Sequence, residues 1–363
     1  MAYTKRPRPD RSRSKQPKDG WLRSGDLLYR AAIFTVVVLS LHLGAPGIAH
    51  AETIKVAITK LLSYPSVPIA IERGYFKEEG LEAQMVFFES AEPMAVALAS
   101  GDVDFGVSGL SAAFYTLASL GQIRVLASSA MEQPGFYNLV FLGSNKAYEA
   151  GLTSAHAIPG HSFAVTQIGT SLQYSLGLLA EKDRFSMSEV AVRPLHAIPN
   201  VITALSGSQI DSAVLPATPA LPLLDRGVIK LLGWVSDLAP GWMGAVAFTS
   251  TKAANEKRDM VQRFVNAYRK GSRDYHDAFA SKENKRQNSA ATPPMLTLLS
   301  KFTGIPEPLI DRAPPYLDGE GRVVMADLAH QIAWYKSQNM MKADVRPEDF
   351  VDKRYAKIMP ETK

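Results

Sequence analysis

The chain contains no cysteine at all, which removes disulfides, thiolate metal sites and cysteine nucleophiles from consideration in one step. It also lacks a His-Glu-x-x-His pair, a phosphate-binding Gly-x-x-x-x-Gly-Lys loop and a Gly-x-Gly-x-x-Gly turn, so no metalloprotease or nucleotide fingerprint is present. Long apolar runs are missing too. The one strongly apolar stretch, residues 31–43, spans thirteen residues, against the ~20 that a membrane-crossing helix needs.

That stretch follows nine Lys/Arg and only three Asp in residues 1–30, and precedes Ala49-His50-Ala51. A basic region, an apolar region and a small-x-small site make an export signal, with cleavage expected before Glu52. The basic balance of the whole chain, 40 Lys+Arg against 35 Asp+Glu, belongs to this leader. Without it 31 basic residues face 32 acidic ones, and no global positive field remains to attract nucleic acid. The remaining 312 residues suffice for two lobes of ~100 to 200 residues with their own cores.

Beyond Glu52, short β-rich runs alternate with helical segments, a pattern that predicts parallel strands joined by crossover helices. Expected strands cover 53–58, 82–88, 105–108 and 124–128, then 162–167, 190–195, 212–215 and 229–233. The plan repeats in the letters as well. ALASGDVDFGV at 97–107 is echoed by ALSGSQIDSAV at 204–214, an offset of 107; GQIRVL at 121–126 is echoed by GVIKLL at 227–232, an offset of 106. Two equivalent α/β lobes fit this better than a solenoid, which needs more repeats. Residues 137–143 are expected as one connecting strand, with the other near 244–250. From Lys257 onward, apolar residues at helical spacing predict helices that pack back on the first lobe.

The residues also carry a resemblance. YPSVPIAIERGYFKEEGLEAQMV at 64–86 resembles the opening block of the binding proteins for nitrate, sulfonates, taurine and thiamine-type pyrimidines. ALASGDVDFGVSG resembles that family's next block and ALSGSQIDSAVLPATPA its counterpart in the second lobe, so the likeness runs in order over roughly 53–275. It implies an α/β, periplasmic-binding-protein type II fold of two Rossmann-like lobes joined by a two-strand hinge. It also implies a periplasmic receptor, without cofactor or metal, that serves the permease of an ABC importer as a monomer. The lobes would comprise 52–143 plus 245–363, and 144–244.

Ligands of open α/β sheets sit beyond the carboxyl ends of the strands, against helix N-termini. Four loops stand there. Lys60, Ser63 and Tyr64 follow the first strand; Ser108, Gly109 and Ser111 the third; Gln167, Thr170 and Ser171 open a second-lobe helix; Pro216, Ala217 and Thr218 follow a second-lobe strand. Each hydroxyl has a competing reading as a plain helix cap. Phe136 and Trp242 join Tyr64 as aromatic candidates for stacking, with Tyr137 and Trp234 beside them. Lys60 is the nearest cation, His196 a potential donor, and Glu89 and Glu132 the acids to watch. A small organic anion, a sulfonate or aromatic carboxylate, is the first expected ligand, and a thiamine-precursor-like heteroaromatic the second.

Enzyme readings are weaker. Gly109-Leu110-Ser111-Ala112-Ala113 approaches a nucleophile elbow but lacks its last glycine, and the sequence does not say whether a later base such as His276 or His330 reaches Ser111. The fungal pyrimidine synthase that shares the fold has a cysteine cluster, which is absent here.

Overall fold

Two five-stranded sheets with the same internal plan organise the chain. The computed structural model describes residues 51–89 and 91–360; the expected leader lies outside the described residues apart from Ala51. The first sheet has the order β2-β1-β3-β11-β4, formed by β1 (Glu52–Ile58), β2 (Leu81–Phe87), β3 (Phe105–Gly109), β4 (Ile123–Ser128) and β11 (Ala245–Ser250). The second reads β8-β7-β9-β6-β10, from β6 (Leu139–Ser144), β7 (Ser162–Val165), β8 (Ala191–Pro194), β9 (Ser212–Pro216) and β10 (Ile229–Trp234). A third pair joins β5 (Ala130–Met131) to β12 (Tyr316–Leu317).

In each sheet four strands share one direction and a fifth runs antiparallel between two of them: β11 between β3 and β4, β6 between β9 and β10. The parallel strands need crossover helices, and these cover the sheets. Burial explains the composition. Both β3 and β6 are buried at every position, so neither shows alternation and both read as unbroken apolar or small-residue runs.

The antiparallel strands correct one expectation. Residues 137–143 were expected as a connecting strand closing the first lobe, yet β6 is hydrogen-bonded inside the second sheet, and the chain passes between the sheets earlier, over 132–138. β6 and β11 thus occupy matching slots in opposite sheets. Pairing across such sequence distances leaves no local signature.

Nine helices position the site: α1 (Ser66–Glu72), α2 (Ala91–Ser100), α3 (Ala112–Ser119), α4 (Ser171–Asp183), α5 (Ile198–Ser206), α6 (Ala217–Asp225), α7 (Arg258–Phe279), α8 (Glu307–Arg312) and α9 (Met325–Ser337). As expected, α7 lies on the first sheet's side. A Cβ on Gly271 would stand 2.3 Å from the Ser66 carbonyl oxygen, so α7 and α1 meet backbone to backbone. Beside that contact the Phe264 ring stacks on Phe105 with centroids 3.7 Å apart.

The later helices behave differently. Among the residues of α9, Trp334 presses on Gly177 of α4, and His330 meets Tyr174 and Glu181 of the same helix. Its other contacts reach the first sheet's side, where Gln331 accepts from the Tyr115 hydroxyl and Tyr335 donates to the Leu110 carbonyl. Leu328, Ile332, Trp334 and Tyr335 are all buried, so α9 is apolar on more than one face and touches helices of both sheets. Arg312 of α8 likewise pairs with Asp225 of α6. No helix among the described residues is long and apolar enough to cross a membrane.

Candidate functional site

Two segments carry the chain between the sheets, 132–138 and 239–244, and they run against each other. Glu132 N–H donates to the Trp242 carbonyl at 2.8 Å, Gly241 N–H to the Glu132 carbonyl at 2.7 Å, and Gly244 N–H to the Ala130 carbonyl at 3.1 Å. At these segments the two sheets face each other across a cavity of about 110 Å³. An engineered apolar cavity of ~150 Å³ holds benzene, so the space suits a molecule of about one ring.

All four anticipated loops reach this cavity. Ser63 and Tyr64 line it beside Thr59 and Leu61; Gly109, Leu110 and Ser111 come from the end of β3; Thr170, Ser171 and Leu172 open α4; Pro216 closes β9. Trp242 forms a wall from the second crossing, and its buried Nε1 has no hydrogen-bond partner. Glu89 stands exposed at the mouth. The walls are drawn close: Ala112 N–H donates to the Gly169 carbonyl across the gap at 2.9 Å, and a Cβ on Gly109 would lie 2.8 Å from Ser171 Oγ.

The hydroxyls differ in what they have left to offer. Thr170 Oγ1 donates to the Gln167 carbonyl and accepts from Gln173 N–H, so its hydrogen is spent on capping α4 and only a lone pair remains to offer. Ser111 accepts from Phe114 N–H at the start of α3, a bond that leaves its own hydrogen uncommitted. Burial pushes the Tyr64 phenol up to about 12, so it stays a neutral donor.

Several anticipated residues stand elsewhere. Lys60 is exposed, its Nζ over the Phe87 ring at 5.6 Å. Ser108 does not line the cavity and donates its hydroxyl to the Gly109 carbonyl. Phe136 is core, packed on Tyr316 with centroids 5.1 Å apart. Gln167 contributes its carbonyl to the Thr170 cap. His196 is exposed in a left-handed backbone conformation, φ 71°. Ala217 is buried with its N–H on the Asn138 carbonyl, and Thr218 lines a small neighbouring pocket. Tyr137 and Trp234 stack on each other, centroids 4.3 Å apart.

Sequence reading missed Asn138, which lines the cavity from the first crossing and holds Ser63 through its side chain. Its position just before a continuous apolar strand was the available signal. Among the described residues none that lines the cavity is Lys, Arg or His. The two histidines named for the hydrolase reading do not line this cavity: His276 bonds Asn284, and His330 bonds Tyr174 and Glu181. No group of three or more potential metal ligands occurs among the described residues.

Paired sheets of one plan, linked by two antiparallel crossings and enclosing a cavity at their strand ends, define the periplasmic-binding-protein fold. Residues 66–278 match the family described as NMT1/THI5 like, and the chain belongs to that family. A Brucella abortus relative, named only as a binding protein, is 27% identical over 183 residues, 49% of this chain and 53% of its own length. The chain thus spans about half the length of the curated relatives it matches. Solved structures share the fold. The aliphatic sulphonate binding protein SsuA of Escherichia coli superposes with a TM-score of 0.64 at 15% identity, over 86% of this chain and 95% of its own. The nitrate-binding protein NrtA of Synechocystis gives 0.64 at 12%, over 83% and 84%.

Proposed function

We propose that this protein is the solute receptor of an ABC-type importer, exported to the periplasm. Its two lobes, each built on one sheet, close on an uncharged molecule of about one ring. The observation that carries this reading is the cavity between the sheets, lined from both sides and crossed at its edge by a hydrogen bond from Ala112 to Gly169. Ligand contacts made by both sheets exist together only when the sheets are close, so binding favours closure by differential affinity. The transporter permease would then engage the closed form.

The lining favours an uncharged ligand over the organic anion expected first. An anion leaving water for this site forfeits several kcal/mol of hydration, and no cationic side chain lines the cavity to compensate. The helix N-termini of α3 and α4 offer only ~0.3 to 1 kcal/mol each, and in each the third amide, Phe114 N–H or Gln173 N–H, is taken by its own cap. Uncharged donors and acceptors with an indole wall suit a neutral heteroaromatic better.

A thermal-shift panel tests the class. Neutral one-ring amides and aminopyrimidines at millimolar concentration should raise the melting temperature of the purified protein by several degrees, as ligand at 100 times its Kd adds ~2.7 kcal/mol. Matched carboxylates and sulfonates should shift it less. The reverse order would overturn the ligand class.

A further inference from the structure

The cavity's deep edge carries a chain of side chains whose hydrogen bonds all point one way. Ser63 Oγ donates to Asn138 Oδ1 at 2.7 Å, and Asn138 Nδ2 donates to Glu132 Oε1 at 2.8 Å. Ser63, Asn138 and Glu132 are 9%, 8% and 1% exposed, so water cannot reorganise them freely. Glu132 lies in the first crossing, its backbone bonded to Trp242 and Gly241 of the second. Among the described residues its Oε2 has no hydrogen-bond partner, and burial pushes the carboxyl up to about 8 against the Asn138 side chain and the Leu139 backbone N–H, which lower it. A proton on the unpartnered Oε2 leaves Oε1 an acceptor, so Asn138 meets the same acceptor in either state.

With the carboxyl proton on Oε2, the amide turns its NH₂ toward Glu132 and its oxygen toward Ser63, and Ser63 spends its only hydrogen on that oxygen. What Ser63 turns toward the cavity is lone pairs.

We propose that the Glu132–Asn138–Ser63 chain makes Ser63 an obligate acceptor in the cleft, so that the ligand must present an N–H or O–H donor there and a bare carboxylate or sulfonate oxygen is refused. This rests on the solute-receptor reading above and adds its selection rule. Glu132 acts through Asn138 as a positioning residue, not as a ligand contact. The cost of disobeying the rule is a buried acceptor facing an acceptor, which polar sites penalise more than a missing methylene.

Calorimetric titration with benzamide and benzoate, alike in shape and differing in the donor, reads the preference. Wild type should favour benzamide. Glu132→Leu removes the terminal acceptor and lets the Asn138 amide turn, and should lower the benzamide-to-benzoate preference about tenfold; Ser63→Ala should lower it similarly. A folded Glu132→Leu or Ser63→Ala with the wild-type preference overturns the proposal. A second readout needs no ligand: the Asn138 side-chain amide resonances in ¹⁵N spectra should move in both variants, and resonances that stay in place also overturn it. Should wild type take up neither probe, the one-ring class fails, and the amide resonances alone judge the relay.

Discussion

Gly109→Val should abolish ligand uptake while leaving the fold intact. Gly109 ends β3 at the cavity, and even a Cβ there would stand 2.8 Å from Ser171 Oγ, the first residue of α4 on the opposite sheet. The neighbouring Gly244 carbonyl oxygen, at 3.6 Å from the same point, closes off the other direction. Serine can rotate away from one methyl; the two further methyls of valine would have to enter the cavity or hold the sheets apart. Overpacking of this kind costs ~1 to 3 kcal/mol, charged here mainly to the closed state, which is roughly a 5- to 150-fold loss of affinity before the displaced ligand is counted. Far-ultraviolet circular dichroism should be unchanged and the ligand-induced thermal shift absent. A Gly109→Val protein that binds as wild type would show that the ligand sits elsewhere.

The second large effect is on stability. Asp327 of α9 accepts from Met243 N–H at 3.0 Å and from Gln331 Nε2 at 2.8 Å, and burial beside Tyr115 and Tyr174 pushes its carboxyl from 3.8 up to about 7. Between those pH values the folded protein binds a proton that the unfolded chain has released. Its contribution to stability is therefore fully present below about 4, falls as pH rises through 7, and is gone above. The shift corresponds to roughly 4 kcal/mol. Glu132, raised to about 8, acts in the same direction. Asp327→Asn keeps the acceptor oxygen but never ionises, so urea unfolding at pH 5 and pH 9 should show wild type losing stability that the variant retains. Parallel losses in both proteins would contradict the assignment.

How much of this was legible beforehand depended on range. The offset repeats and the ALASGDVDFGV and ALSGSQIDSAV blocks announced twin sheets, because each repeat is one local supersecondary unit. The QIGTS stretch announced an α4 N-terminus at the cavity, because a hydroxyl cap after a strand is a local signal. Assignment failed where a side chain's direction was decided by something distant. Ser108 and Gly109 are neighbours, and the pleat sends only one of them into the cavity. Phe136 was claimed by Tyr316, 180 positions away, and Lys60 by solvent and Phe87. Asn138 and Glu132 pair within a crossing that has neither helix nor strand, so no periodicity in the sequence says which way their side chains point.

A crystal structure of the protein grown with whichever neutral one-ring compound stabilises it most is the most direct test. The account expects that compound between the two sheets, against Trp242 and within hydrogen-bond distance of Ser63 and Ser111, with Gly109 and Ser171 drawn together beside it. A compound bound on the outer surface, with the space between the sheets left to solvent, would contradict it.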